Sequence, residues 1–98
     1  MDYKAYISVS EILFKVEGRI IHIYTVPGTY RLKNVNLSQL TDQMQPFGFV
    51  RVNRSHLVNI RHIRAIMGMM LQLDGGYETE ISRKNRKYVK GVFMAQGV

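Results

Sequence analysis

Glycine-bearing turns at short intervals constrain this chain more than any other feature, because the residues between them alternate with period two. Glu17-Gly18-Arg19 separates Ile12-Leu13-Phe14-Lys15-Val16 from Ile20-Ile21-His22-Ile23-Tyr24-Thr25-Val26. Both runs are β-branched and aromatic, and glycine is free to take the positive φ of a tight hairpin. Pro27-Gly28 predicts a type II turn, in which proline pre-sets its own φ and glycine supplies φ > 0. Thr29-Tyr30-Arg31-Leu32-Lys33 then reads as a third strand with Tyr30 and Leu32 on one face. The expectation is an antiparallel meander, led into by Tyr6, Ile7 and Val9.

Beyond Lys33 the period changes. Asn36 is a good N-cap, and Leu37, Leu40 and Met44 recur at helical spacing, so a short amphipathic helix is predicted over 37–44. Pro46 and Gly48 stop it. Strand alternation resumes at Phe49, and Asn53-Arg54-Ser55-His56 reads as a turn or a short helical entry, since Asn and Ser readily bond nearby backbone. Residues 63–67 and 69–73 predict a hairpin turning near Gly68. Asp74-Gly75-Gly76 predicts another, with a return strand over 77–81 whose Glu78 and Glu80 face solvent. Ser82 is placed to cap a C-terminal helix that sets Tyr88 or Val89, with Val92 and Phe93, on the core side. Residues 94–98 read as a frayed tail. The whole of residues 1–98 reads as one mostly β domain with two helices.

Charge narrows the choice of partner. The 98 residues carry 14 Lys and Arg against 7 Asp and Glu, a formal charge of +7. Solubility needs less, so the excess points to an acidic partner such as nucleic acid, an anionic membrane or an acidic protein. The positive charge is concentrated in two places. Residues 43–73 contain no acid and hold Arg51, Arg54, Arg61 and Arg64; residues 82–90 contain none either and hold Arg83, Lys84, Arg86, Lys87 and Lys90. Arginine dominates the first group, and its planar fork can read guanine bidentately or clamp a phosphate, whereas lysine acts as a point charge.

Other functions find less support. Without cysteine, thiolate chemistry, disulfides and Cys-based zinc fingers are excluded. His22, His56 and His62 show no metal-ligand spacing, and the adjacent Ser55-His56 has no catalytic geometry. Neither a GxGxxG nor a P-loop is present, so no enzyme, cofactor, metal or small-molecule substrate is expected. No apolar run approaches the roughly 20 residues that span a bilayer, and the first residues lack the layout of a secretory signal. A cytoplasmic location without membrane association is the expectation. The aromatic residues Phe14, Tyr24, Tyr30 and Phe49 fall at core periodicity, which gives little support to a base-stacking platform.

Three stretches together resemble the LytTR DNA-binding domain, an effector module of bacterial response regulators in two-component systems. They are Phe49-x-Arg51-Val52-Asn53-Arg54-Ser55-x-Leu57-Val58-Asn59, followed by Ile63 and Ile66; Ile81-Ser82-Arg83; and the opening Glu11-Ile12-Leu13-Phe14-Lys15-Val16-Glu17. Asn36-Leu37-x-x-Leu40 is similar to that family's internal helix. The resemblance implies an elongated arrangement of small antiparallel sheets with one short internal helix and a short C-terminal helix. It also implies double-stranded DNA as partner, with loops rather than a recognition helix entering successive major grooves and bending the duplex. Two copies on repeated half-sites are a further expectation. By the same resemblance Arg54, Arg83 and Arg19 fall at base-reading positions. Asn53, Ser55, Arg51, Lys84, Arg86 and Lys87 would contact the DNA backbone. Asn53 stands where the family more often has histidine. Two other readings stay open: a basic β-rich RNA or single-strand binder, and a stand-alone interaction partner of a full-length regulator.

Overall fold

A computed structural model describes residues 11–96. The lead-in at Tyr6, Ile7 and Val9 lies outside the described residues, as do the last two residues of the expected tail. The elements in order are β1 (Glu11–Glu17), β2 (Ile20–Thr25), β3 (Thr29–Lys33), α1 (Leu37–Met44), β4 (Phe49–Asn53), β5 (His56–Asn59), β6 (Ile63–Met67), β7 (Met70–Leu73), β8 (Glu78–Glu80) and α2 (Arg83–Gln96). The molecule measures 35 × 24 × 24 Å along its principal axes.

The predicted meander forms, and the chain then does something its local pattern does not announce. The first sheet has the order β3-β2-β1-β5-β4, so β5 returns beside β1 and makes β1 the central strand. β1 pairs antiparallel with both neighbours, with Phe14 opposite Ile23 on one side and Leu57 on the other. β6, β7 and β8 make a separate three-stranded sheet. Successive side chains point to opposite faces, so the first sheet buries two faces against two different layers. On one face Phe14, Ile21, Ile23, Phe49 and Leu57 lie under Leu37, Leu40 and Met44 of α1. On the other, Leu13, Val50, Val52 and Val58 meet Ile63, Leu71, Leu73 and Ile81 of the second sheet and its exit, with Val89 of α2.

The turns follow local chemistry, with one correction. Gly18, at φ 61°, precedes a residue of negative φ in a two-residue link between Glu17 and Ile20, the sign pattern of a type II′ hairpin. Gly68 repeats it at φ 63° between β6 and β7. Gly28, by contrast, takes no positive φ, so the expected type II turn at Pro27-Gly28 does not form. Thr25 closes that loop instead: its backbone N–H donates to the Gly28 carbonyl at 2.8 Å, and its hydroxyl accepts from the Gly28 N–H at 3.0 Å. A side chain that takes up the Gly28 N–H removes the need for a left-handed residue.

Both helices start where the sequence places them. The Asn36 side chain accepts from the Ser38 and Gln39 N–H groups at 2.7 and 3.3 Å, which caps α1. α1 then passes into a short 3₁₀ turn at Gln45–Phe47, and Gly48, at φ 88°, ends it. At the start of α2 the Asn85 N–H donates to the Ser82 carbonyl at 3.0 Å and the Asn85 amide to the Ser82 hydroxyl at 2.8 Å. Val89 is the buried anchor, while Tyr88 is 54% exposed. The helix also continues through 14 residues to Gln96, so Met94, Ala95 and Gln96 are helical and not tail. Packing of Val92 and Phe93 on the core holds this last stretch in place.

Candidate nucleic-acid interface

Sheet topology gathers the basic loops at one end of the molecule. Lys15 lies opposite His56, and the Val16 N–H donates to the Ser55 carbonyl at 2.9 Å, so the β1–β2 turn and the β4–β5 turn leave the sheet side by side. The Ser82 N–H donates to the Val52 carbonyl at 2.8 Å and brings the start of α2 against β4. A hollow of about 530 Å³ opens between these parts, lined by Ser38, Arg51, Asn53, Arg54, Ser82, Lys84 and Asn85. Arg54 and Lys84 are exposed in its lining, and Arg83, between Ser82 and Lys84 in the chain, is exposed but does not line it. Arg19 is exposed on the neighbouring turn and lines a different hollow, shared with residues 34–37 ahead of and at the start of α1. Arg54 and the residues flanking Arg83 are thus brought together, whereas Arg19 stands apart from them.

The Arg54-Ser55 turn is heavily braced from behind. A register shift between Arg51 and Asn53 marks a β-bulge in β4. Bulges re-aim side chains, and here Val52 packs into the core against the second sheet while the next residue, Asn53, also reaches that sheet. The Asn53 amide nitrogen donates to the Thr79 hydroxyl at 3.1 Å and to the Glu80 carbonyl. Its oxygen accepts from the Ser55 N–H at 2.8 Å and from His56 Nδ1 at 2.9 Å, which requires the proton on that ring nitrogen. Arg51 grips the same turn through its backbone: Nε donates to the Asn53 carbonyl at 2.9 Å and Nη2 to the Arg54 carbonyl at 2.6 Å.

The other expected contact residues differ in how free they are. Among the described residues, no ion pair engages Arg19, Arg54, Arg83, Lys84 or Lys87. The Ser55 hydroxyl likewise has no hydrogen-bond partner there. Arg86 donates through Nε to the Gly68 carbonyl at 2.9 Å, tying α2 to the β6–β7 turn with its remaining N–H groups left over. Arg64 lies 3.9 Å from Asp74, which also meets His62 Nδ1 at 2.8 Å, so those residues belong to the second sheet's own support. Asn59 is fully buried and bonds the Glu11 carbonyl and the Arg61 N–H at 2.8 and 3.0 Å. Its role is structural.

The two sides of Arg54 differ in charge. One is the basic hollow beside Ser82 and Lys84. The other is lined by Lys15, His56, Glu78, Thr79 and Glu80, where acids offset the cations. Lys15 and Glu17 pair at 3.0 Å, and their hydrogen bond raises the lysine pKa and lowers that of the glutamate. Both are solvent-facing, so the pair contributes little to stability. Among the described residues no group of three potential metal-ligating side chains occurs, and no helix is long and apolar enough to cross a membrane.

His56 gives the site a pH signature that sequence reading missed, because it depends on cross-strand neighbours. Burial lowers its pKa below the free value of 6.5, and the nearby Lys15 charge adds to this. The unfolded chain therefore binds a proton on this ring more readily than the native one. The stabilisation is present above pH 6.5 and is lost as pH falls through the lower native value. Urea midpoints should drop between pH 7.5 and 5.5, and His56→Gln should flatten that slope. An identical slope in the variant would contradict the assignment.

The LytTr DNA-binding domain family matches residues 4–94. The structure is similar to the LytTr DNA-binding domain of a response regulator from Bacillus cereus, with a TM-score of 0.73 and 20% identity. That alignment covers 85% of this chain and 80% of the other, and it speaks to the fold. No curated protein matches.

Proposed function

This chain belongs to the LytTr DNA-binding domain family, and from that premise we propose that it binds double-stranded DNA sequence-specifically to regulate transcription. The observation that carries the reading is the grouping of Arg54 with the Ser82–Lys84 segment around one open basic hollow. Arg54 and Arg83 read base edges, and Arg19, on the adjacent turn, reaches a further position. Two-residue turns standing on a rigid sheet end suit entry into a major groove roughly 12 Å wide. Lys84, Arg86 and Lys87 neutralise phosphates, and the Ser55 hydroxyl donates to one. Two copies occupy repeated half-sites and bend the duplex between them. The reading includes no catalytic step, and it places the protein in the cytoplasm.

Single-strand binding is less well supported, because several rings are turned inward and the exposed ones among the described residues, Tyr30, Phe47 and Tyr88, sit on three separate elements. Phe14 and Phe49 are buried against each other at 5.3 Å between ring centroids, and Tyr24 packs on Tyr77 at 5.0 Å. A base-stacking platform needs exposed rings in a basic groove.

Substitutions separate readers from phosphate contacts. Arg54→Ala and Arg83→Ala should each erase preference at one base pair, at a cost of about 1–3 kcal/mol on the selected duplex. Lys87→Ala should weaken all duplexes alike and reduce the salt slope by about one. Titrations against single-position variants of a selected site distinguish these patterns. Unchanged base preference in both arginine variants would remove the reader assignment.

A further inference from the structure

Arg51 and Asn53 occupy positions where DNA-backbone contacts are expected, yet the Asn53 amide is fully committed and the Arg51 guanidinium already holds two carbonyls of the turn. We infer that both are positioning residues, which hold the Arg54-Ser55 turn in its reading geometry and lock it to the segment that carries Arg83. The inference rests on the proposed reading of DNA and adds how that reading is made specific.

All four hydrogen-bonding capacities of the Asn53 amide are used: two donors toward Thr79 and Glu80, and two acceptor contacts from Ser55 and His56. Glu80 precedes Ile81, whose N–H donates to the Met69 carbonyl at 2.7 Å, and then Ser82, which is bonded to Val52. The amide is therefore a cross-brace between the turn before β5 and the strand that leads into Arg83. Arg51 supplies a second brace, since two arms of one planar guanidinium fix two successive carbonyls of the turn. A turn that had to be ordered on binding would lose affinity for doing so. Bracing from behind spares that cost and leaves the Arg54 side chain as the free element.

Lysine at position 51 tests this, because it keeps the charge and loses the fork. Titrations of the full chain use the selected duplex and a scrambled one between 50 and 200 mM salt. Arg51→Lys should lower the ratio of selected to scrambled affinity about tenfold, a scale set by one bidentate base contact. Scrambled-duplex affinity and its salt slope should stay unchanged. Asn53→Ala should reduce discrimination at both the Arg54 and the Arg83 positions. If Arg51→Lys keeps the ratio while Arg51→Gln lowers scrambled binding and its salt slope by about 0.9, Arg51 is a phosphate contact and the inference fails. Amide exchange of Ser55 in the DNA-free protein provides a readout that does not depend on base reading. It should accelerate in Arg51→Lys while core amides stay protected, and slow exchange there would overturn the brace. Arg54→Ala and Arg83→Ala run alongside: silence in both refutes base reading itself, a different failure from a loose turn.

Discussion

Affinity for duplex DNA is expected to fall about fortyfold between 50 and 200 mM salt. Lys84, Arg86 and Lys87 are the cations assigned to phosphates, whereas Arg19, Arg54 and Arg83 are assigned to base edges. Each phosphate neutralised releases condensed counterion and contributes about −0.9 to the slope of log affinity on log salt, so three such charges give a slope of about −2.7. Arg51 is left out of this count because its Nε and Nη2 are turned to the Asn53 and Arg54 carbonyls, and Asn53 carries no charge. Arg64, 3.9 Å from Asp74, is left out as well, and so is Arg61, which lies just past the far end of β5 from the Arg54-Ser55 turn. A titration series with fluorescent duplex at five salt concentrations measures the slope. A slope of about −1 or shallower would mean that most of these side chains never meet phosphate.

The second large effect lies in the scaffold. Phe14 is fully buried on the central strand, cross-paired with Ile23 and Leu57, and its ring lies 5.3 Å from that of Phe49. Phe14→Ala removes the transfer energy and leaves a cavity beneath α1, at a cost of about 3–5 kcal/mol. That is a large share of the roughly 5–15 kcal/mol available to a domain. The melting temperature should fall by roughly 12–40 °C, given about 4–8 °C per kcal/mol in a domain of this size. Tyr30, on edge strand β3 and 57% exposed, provides the contrast: Tyr30→Ala should change stability by about 0.5 kcal/mol or less. Calorimetry of the two variants checks the pair. Equal losses would contradict the assignment of β1 as the central strand.

Much of the scaffold was legible because its signals are local. Gly18 and Gly68 mark two-residue hairpins, Asn36 caps a helix whose apolar spacing is visible, and Gly48 ends it. These depend on backbone sterics and on capping bonds spanning a few residues. The Pro27-Gly28 turn misled because Thr25, two residues upstream, closes the loop with its own side chain. The last turns of α2 were missed because packing of Val92 and Phe93, rather than propensity, sustains them.

The interface divides along the same line. Arg54 and Arg83 stand out as arginines without neighbouring acids, and both prove exposed at one end of the sheets. The work of Arg51 and Asn53 was hidden. Asn53 meets Thr79 and Glu80 across 26 and 27 residues, a closeness that exists only once β5 has inserted beside β1 and the second sheet has packed beneath it. A basic or amide residue beside a reader looks like a contact in sequence, whereas hydrogen-bond bookkeeping in three dimensions makes it a brace.

The most direct test is selection of bound duplexes from a random pool, followed by competition at fixed salt among the selected duplex, a scrambled duplex and its single strand. The account predicts recovery of a motif whose affinity exceeds that of the scrambled duplex by about a thousandfold or more, the low end of specific recognition, with the single strand weaker than the selected duplex. Failure to enrich any motif, or a single strand that competes as well as the selected duplex, would contradict it.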